Sequence, residues 1–348
     1  MNTFFQKYNR TDVDLLVRCR TGETKLGQVI DVPGEEPLQA FLERTAATFA
    51  VVGIAEDIGV LANYGRPGAA SVWNSFLSSF LNIQANGFTR PENIAVVGCF
   101  SFDTLKEEIE KKFGDPEDRI IEFRKAVSAI DDVVSELIRL MVSHEKTPIV
   151  VGGGHNNSYP LIKGTALALR SRDVSNPKGI NCINLDAHID YRLPEGRHSG
   201  NGFRYAKQEG FLEKYLALAV HENYIPENIL KEITRMEDID MVTYEDIFIK
   251  EKKTWSECLK DGARFTRQLA TGVELDVDGI SNIPSSAATP GGVSVREALQ
   301  YVDYLASHSH IAYLHICEGI ASSDNGVGKL ISSIVSQFIK SSPLKSGL

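Results

Sequence analysis

The chain has 348 residues, 43% of them apolar and 24% charged, which is enough material for a large folded core. Its formal net charge of −9 argues against nucleic acid as the main partner, because gripping a phosphate backbone needs a basic face. No apolar run approaches the length of a membrane span, and the N-terminal stretch lacks the apolar core of a signal peptide. Five cysteines, Cys19, Cys99, Cys182, Cys258 and Cys317, are scattered, odd in number and without a CxxC pair. That usage fits reduced thiols in a cytoplasmic protein, with Cys182 and Cys317 acting as small buried hydrophobes.

Residues 1–40 carry no decisive pattern and read as an N-terminal extension that edges a sheet or serves an interface. A helical pattern at 38–47 precedes a strand at 49–54, and another at 70–81 precedes a strand at 93–100. The longest helical pattern, 116–144, leads to a strand at 148–151, and a helix at 158–172 leads to a strand at 180–185. Then come strand 215–220, helix 226–236, strand 240–244, helix 255–270, strand 272–277, helix 295–308, strand 311–317 and helix 326–340. Ser158 ahead of Pro160, and Ser294 three residues before Glu297, are helix-start signals. Most strand runs are continuously apolar, as strands covered on both faces should be. Eight strands alternating with helices, with no repeat or linker between them, predict one α/β domain over 1–348 built on a mainly parallel sheet.

In open parallel sheets ligands gather beyond the carboxyl ends of the strands. The polar residues that follow each apolar run are therefore the informative ones. After 148–151 come Gly152, Gly153, Gly154 and His155; the Lys-Ser or Lys-Thr of a nucleotide loop does not follow, and GxGxxG is absent. After 180–185 come Asp186, Ala187, His188, Ile189 and Asp190. An extended backbone sends residues two apart to one face, about 7 Å between their Cα atoms, so Asp186, His188 and Asp190 are expected to project together. Asp276 and Asp278 repeat the spacing after the run from 272, and Glu318 ends the last strand.

Gathered on one rim, His155, Asp186, His188, Asp190, Asp276 and Asp278 supply four carboxylates and two imidazoles, which demand neutralisation. Two divalent ions balance that charge. Carboxylate and imidazole without thiolate suit Mn2+, are compatible with Zn2+, Fe2+, Ni2+ or Co2+, and suit Ca2+ poorly. Two ions roughly 3.5–4 Å apart lower the pKa of a shared water, which is hydrolytic chemistry. His198 lies near this run as a candidate proton carrier. Arg192, Arg197 and Arg204 follow it, either pairing with the acidic site or gripping a substrate carboxylate.

GGGH at 152–155, DAHID at 186–190 and DVD at 276–278, in that order and approximate spacing, resemble the ureohydrolase family of arginases, agmatinases, guanidino-acid hydrolases and formiminoglutamases. The Cys317-Glu318 strand end resembles the family's late glutamate, and the resemblance runs over about 49–330. It implies a three-layer α/β sandwich around a mainly parallel eight-stranded sheet, two Mn2+ per subunit, and a homo-trimer or hexamer. It implies one ion held by His155, Asp186, Asp190 and Asp276, and the other by Asp186, His188, Asp276 and Asp278. Asp190 would pass a proton to the leaving amine, and Glu318 would pair with a cationic guanidinium or formimino group.

The chain also departs from parts of the family. Arginases and agmatinases carry a His-Gly step after the metal run, whereas here His198, Ser199, Gly200, Asn201, Gly202, Phe203 and Arg204 resemble formiminoglutamases. Ser281-Asn282 stands where Asp-Pro is common, and Asn156-Asn157 where an acidic or serine residue often follows the histidine. A substrate with two carboxylates requires basic or amide groups beyond the metals. Arg197, Ser199, Asn201 and Arg204 are the first candidates, with Asn63 and Arg66 a second set. The expected activity on a small molecule is hydrolysis of formimidoylglutamate to glutamate and formamide, a step of histidine degradation. The alternatives are an agmatinase, an arginase or another guanidino hydrolase releasing urea, a single-metal deacetylase, and a non-catalytic metal-binding homologue. All six ligand positions are present, which argues against the last.

Overall fold

A computed structural model describes residues 4–172, 179–322 and 326–343. Among these residues nine strands form one sheet: β1 (Phe5–Lys7), β2 (Phe49–Ala55), β3 (Ile94–Ser101), β4 (Thr147–Val151), β5 (Ile180–Leu185), β6 (Leu212–Val220), β7 (Ile239–Thr243), β8 (Thr271–Asp276) and β9 (Ile311–Cys317). They lie in the order β1-β3-β2-β4-β9-β8-β5-β6-β7. Every neighbouring pair is parallel except β1 with β3.

Strand alternation builds the two cores. Phe49 and Val51 of β2 and Ile183 and Leu185 of β5 enter the core that holds Trp73, Tyr301 and Phe338. Ala50, Val52, Ile180 and Cys182, the alternate residues, enter the opposite core with Phe41, Phe123 and Phe203. Helices Val72–Phe80, Trp255–Thr266, Val295–His308 and Val327–Ser341 cover the first face. Leu38–Arg44, Pro116–Ser143, Ser158–Arg172 and Gly202–Gln208 cover the second. The result is three layers, with strands apolar on both sides because both sides are covered.

The sheet has one strand more than the sequence pattern predicts. β1 falls in the extension, and three residues are too short to stand out as an apolar run. It pairs antiparallel with β3, and Phe4 and Phe5 set their rings 5.0 and 4.8 Å from Phe102 and Phe100. Tyr8 accepts a hydrogen bond from the Trp73 indole at 2.8 Å, so the extension is stitched to the body. Asp103–Lys112, another unpredicted helix, buries only Ile109 and so carries almost no apolar period. Ser294 does cap its helix, its hydroxyl accepting from the Glu297 amide while Glu297 accepts from the Ser294 amide. Ser158 instead lies inside its helix, preceded by a tight turn at His155–Asn157.

The fold's main service to function is adjacency. The strands that precede the candidate ligands, β4, β9, β8 and β5, are consecutive neighbours at the centre of the sheet. Their carboxyl ends therefore meet on one edge. Among the described residues no helix is long and apolar enough to cross a membrane.

Candidate metal centre

Each ligand segment is shaped by backbone that a regular strand could not provide. Gly153 follows β4 with φ of 77°, and a Cβ there would meet the Asn157 amide at 2.6 Å. Buried Glu56, just past β2, holds this loop by accepting from the amides of Gly59 at 3.1 Å and Gly154 at 2.9 Å and from the Asn157 side chain at 2.7 Å. That is the use to which Asn157 is put. After β5, Asp186 turns the chain by accepting from the His188 amide at 2.7 Å, and Asp276 does the same for the Asp278 amide at 2.7 Å. The paired side chains thus converge through carboxylate-capped turns, not through the strand pleat that the sequence spacing suggests. Asp190 and Glu318 adopt left-handed backbone, φ 44° and 63°. Such non-glycine conformations cost about 1–3 kcal/mol each and collect at functional sites.

Ligand-type atoms of His155, Asp186, Asp190 and Asp276 all lie within 4.8 Å of one another. His155 Nδ1 sits 2.8 Å from Asp190 Oδ2 and 3.3 Å from both Asp186 Oδ2 and Asp276 Oδ2. The other Asp186 oxygen faces His188 Nδ1 at 3.5 Å, and that nitrogen is 3.9 Å from Asp278 Oδ2. Asp186 therefore presents one oxygen to each imidazole. His188, Asp190, Asp276, Asp278 and Glu318 line a cavity of about 580 Å³.

The charge of this cluster calls for a cation. Burial first, then the charges of Asp278 and Asp186, push Asp276 well above the usual carboxylate range. Burial raises Asp278 to about 6, and burial with the Asp278 charge raises Glu318 to about 8. Both ring nitrogens of His155 and Glu318 Oε2 are buried without a hydrogen-bond partner. Oxygen and imidazole donors aimed at one another, with unspent lone pairs, fit borderline-to-hard divalent ions. Loading must displace the protons on these carboxylates. Apparent Mn2+ affinity is accordingly expected to weaken as pH falls from 8 to 6, with proton release on binding. Calorimetry in buffers of different ionisation enthalpy checks both.

The remaining predicted residues fall into two groups. Arg192, Ser199 and Asn63 line the cavity. Asn63 donates to Ser199 Oγ at 3.2 Å and keeps a buried, unpartnered carbonyl oxygen. Arg197, by contrast, is buried against Asp131 in a two-pronged pair at 2.8 and 3.2 Å, and donates to Asn201 Oδ1 at 2.7 Å and the Asn156 carbonyl at 2.9 Å. Asn201 is fully buried and spends its amide on the Gly196 carbonyl. Arg204 pairs with Glu232 and lies 4.0 Å over the Tyr191 ring. His198 is fully buried, with Nε2 3.2 Å from Glu195 and Nδ1 accepting from the Gly200 amide. Burial, with Arg192 nearby, lowers it to about 4. Arg66 donates to the Ser285 carbonyl at 2.6 Å.

The loop after Asp278 closes without the Asp-Pro step. Asn282 takes left-handed backbone, φ 59°, which asparagine tolerates, and Ser281 Oγ donates to the Pro290 carbonyl at 2.6 Å. Glu195, Tyr224, Asn228 and Ser286 also line the cavity, and none of them is singled out by a motif. Tyr224 stacks on His188 at 5.1 Å.

Residues 47–338 match the family model described as "Arginase family". Among curated proteins, a formimidoylglutamase of Macrococcus caseolyticus is 27% identical over 224 residues, 64% of this chain and 60% of that one. A second, from Streptococcus pyogenes serotype M3, is 22% identical over 277 residues, 78% of this chain and 76% of that one. Among solved structures, formimidoylglutamase from Bacillus subtilis aligns with a TM-score of 0.70 at 18% identity, covering 97% of this chain and all (100%) of that one.

Proposed function

The chain belongs to the arginase family, and from that premise we propose that it hydrolyses formimidoylglutamate to glutamate and formamide. The observation that carries this reading is the convergence of the His155, Asp186, Asp190 and Asp276 donor atoms within 4.8 Å of one another, with Asp190 and Asp276 lining the cavity. Relatives bearing the formimidoylglutamase name support the choice of substrate. A solved structure of Trypanosoma cruzi formiminoglutamase with Mn2+, TM-score 0.66 at 19% identity and covering 89% of this chain, supports the choice of metal.

In this reading His155, Asp186, Asp190 and Asp276 would hold one Mn2+ ion, and Asp186, His188, Asp276 and Asp278 would hold a second. When bound, such a pair supplies Lewis-acid charge and makes water more acidic at neutral pH. The chain's own groups supply the rest. Glu318 is anchored through Oε1 to the His155 amide at 2.7 Å, which leaves Oε2 to accept from the cationic formimino group. Asp190 lines the cavity, from which it would carry a proton to the leaving nitrogen.

Among the described residues Arg192 is the arginine that lines the cavity, and it grips a substrate carboxylate. Its pair with Glu195, 2.9 Å, is half exposed and so weakly held. Asn63 Oδ1 and Ser199 add polar contacts on the same wall. Arg197, Asn201 and Arg204 act in this scheme as scaffold, their donors already engaged within the protein. His198 stays outside the proton path, since its ring is fully buried and both its nitrogens are partnered. The enzyme is taken to work in the cytoplasm as a homo-trimer or hexamer.

A side-by-side assay of Mn2+-loaded protein with formimidoylglutamate, arginine, agmatine and guanidinobutyrate tests the reading. Formamide release at the highest kcat/KM is expected; faster urea release from any guanidino compound would overturn it. Arg192→Ala is expected to raise KM for formimidoylglutamate by roughly tenfold to a hundredfold, as loss of a charged hydrogen bond should, with a smaller change in kcat. An unchanged KM would remove Arg192 from the binding site.

A further inference from the structure

One strand residue below the ligands, the sheet carries charge where its neighbours are apolar. Glu274 of β8 lies two residues before Asp276, so its side chain leaves the same face of the sheet. Its register partner on β9 is His315, and on β5 Asn184. Glu274, His315 and Asn184 are all fully buried. An isolated carboxylate there would be costly, and Glu274 is far from isolated. Its Oε1 accepts from the Tyr313 hydroxyl at 2.6 Å, and its Oε2 lies 2.6 Å from His315 Nδ1. The same Oε2 is 3.5 Å from His155 Nε2. His155 Nδ1, on the far side of the ring, faces Asp186, Asp190 and Asp276.

A neutral imidazole has one N–H and one lone pair, and the hydrogen bond made by one nitrogen decides which the other offers. The Glu274 carboxylate, 3.5 Å from Nε2 and without a formed hydrogen bond in this geometry, favours the proton on that nitrogen by its charge and leaves the Nδ1 lone pair for a cation. We propose that Glu274 is a positioning residue: anchored by Tyr313 and His315, it fixes the tautomer and ring orientation of His155 and so sets the affinity of the metal position that His155 serves. This deepens the function proposed above and rests on its metal reading. His188 makes no contact with Glu274 among the described interactions, so the metal position it serves should depend on Glu274 far less.

The test is titration of the full-length, metal-stripped protein with Mn2+ by calorimetry, with unfolding followed in parallel and no substrate present. Glu274→Gln strips His315 Nδ1 of its carboxylate partner, so the double variant Glu274→Gln/His315→Gln, which removes both members of that contact, is measured beside it. The wild type is expected to bind two ions. Both variants should lose about tenfold to a hundredfold in affinity at one position, the range for groups that orient a ligand, and keep the other within about threefold. Glu274→Asp should recover part of the loss. Wild-type affinities at both positions in the folded double variant would overturn the proposal, as would equal weakening of both positions with a matching fall in melting temperature. If the wild type binds two ions and hydrolyses none of the four substrates, the functional reading fails while this one stands. If the wild type binds none, both fall.

Discussion

Asp186→Ala and Asp276→Ala are each expected to reduce turnover by about 10³-fold or more, the several kcal/mol that metal charge contributes, and to bring bound Mn2+ below two per chain. Asp186 is fully buried, with one oxygen 3.3 Å from His155 Nδ1 and the other 3.5 Å from His188 Nδ1, so its loss removes a donor from both positions. Asp276 shares His155 at 3.3 Å and also caps the turn that carries Asp278. Asp276→Asn separates charge from shape, since the amide oxygen can still accept from the Asp278 amide. Without metal, Asp276 is pushed up by burial and by its acidic neighbours. Replacing this group, which burial forces to hold a proton in the folded state, should therefore raise the melting temperature of the metal-free protein while erasing the stabilisation that Mn2+ confers on the wild type. Stabilisation by a ligand grows as RT ln(1 + [L]/Kd), about 2.7 kcal/mol at a hundredfold excess over Kd. Thermal shifts with and without Mn2+, together with metal analysis, read both effects. Full turnover in either alanine variant would contradict a two-ion site.

The convergence of the candidate ligands was legible because each sits immediately after an apolar run, and a parallel sheet brings such points to one edge. The topology then made β4, β9, β8 and β5 neighbours, which no local pattern states. The reason for convergence was read less well: Asp186 and Asp276 cap turns, so the period-2 argument reached the right neighbours through the wrong geometry. The arginines show where sequence stops. Residues 186–201 follow neither a helical nor a strand period, so proximity to the motif could not tell Arg192, on the cavity, from Arg197, buried away from it. The partner that decides the matter, Asp131, sits in the middle of the long helix Pro116–Ser143, beside an exposed acid, Asp132, at the next position. Glu274 did leave a signal, an acid between Val273 and Leu275 two residues ahead of Asp276. Its meaning needed His315 from the neighbouring strand.

Arg197 is the residue for which the structure most changes the expected phenotype. It contacts Asp131 through two nitrogens, and both side chains are nearly inaccessible, at 5% and 3% exposure. Its guanidinium also lies 4.7 Å over the Tyr159 ring and 5.0 Å over Tyr205. Truncating one partner of such a pair leaves the other buried and uncompensated, at about 3–5 kcal/mol. Arg197→Ala should therefore lose stability by that order, and whatever folds should keep a near-normal KM for substrate. The loss should also depend on pH. Burial already raises Asp131 to about 6 with Arg197 opposing the shift, against an unfolded value near 4. Removing Arg197 lifts the folded value further. A carboxyl whose folded pKa exceeds its unfolded one loses stability as pH rises from the unfolded to the folded value. The Arg197→Ala deficit should accordingly be smaller at pH 5 than at pH 8. The double variant Asp131→Asn/Arg197→Ala removes the stranded acid, so it should recover part of the loss and flatten its pH dependence. Urea unfolding of the wild type, Asp131→Asn, Arg197→Ala and the double variant at both pH values closes the cycle. A raised KM with unchanged stability in Arg197→Ala would return this arginine to the substrate, and equal deficits at both pH values would break the link to Asp131.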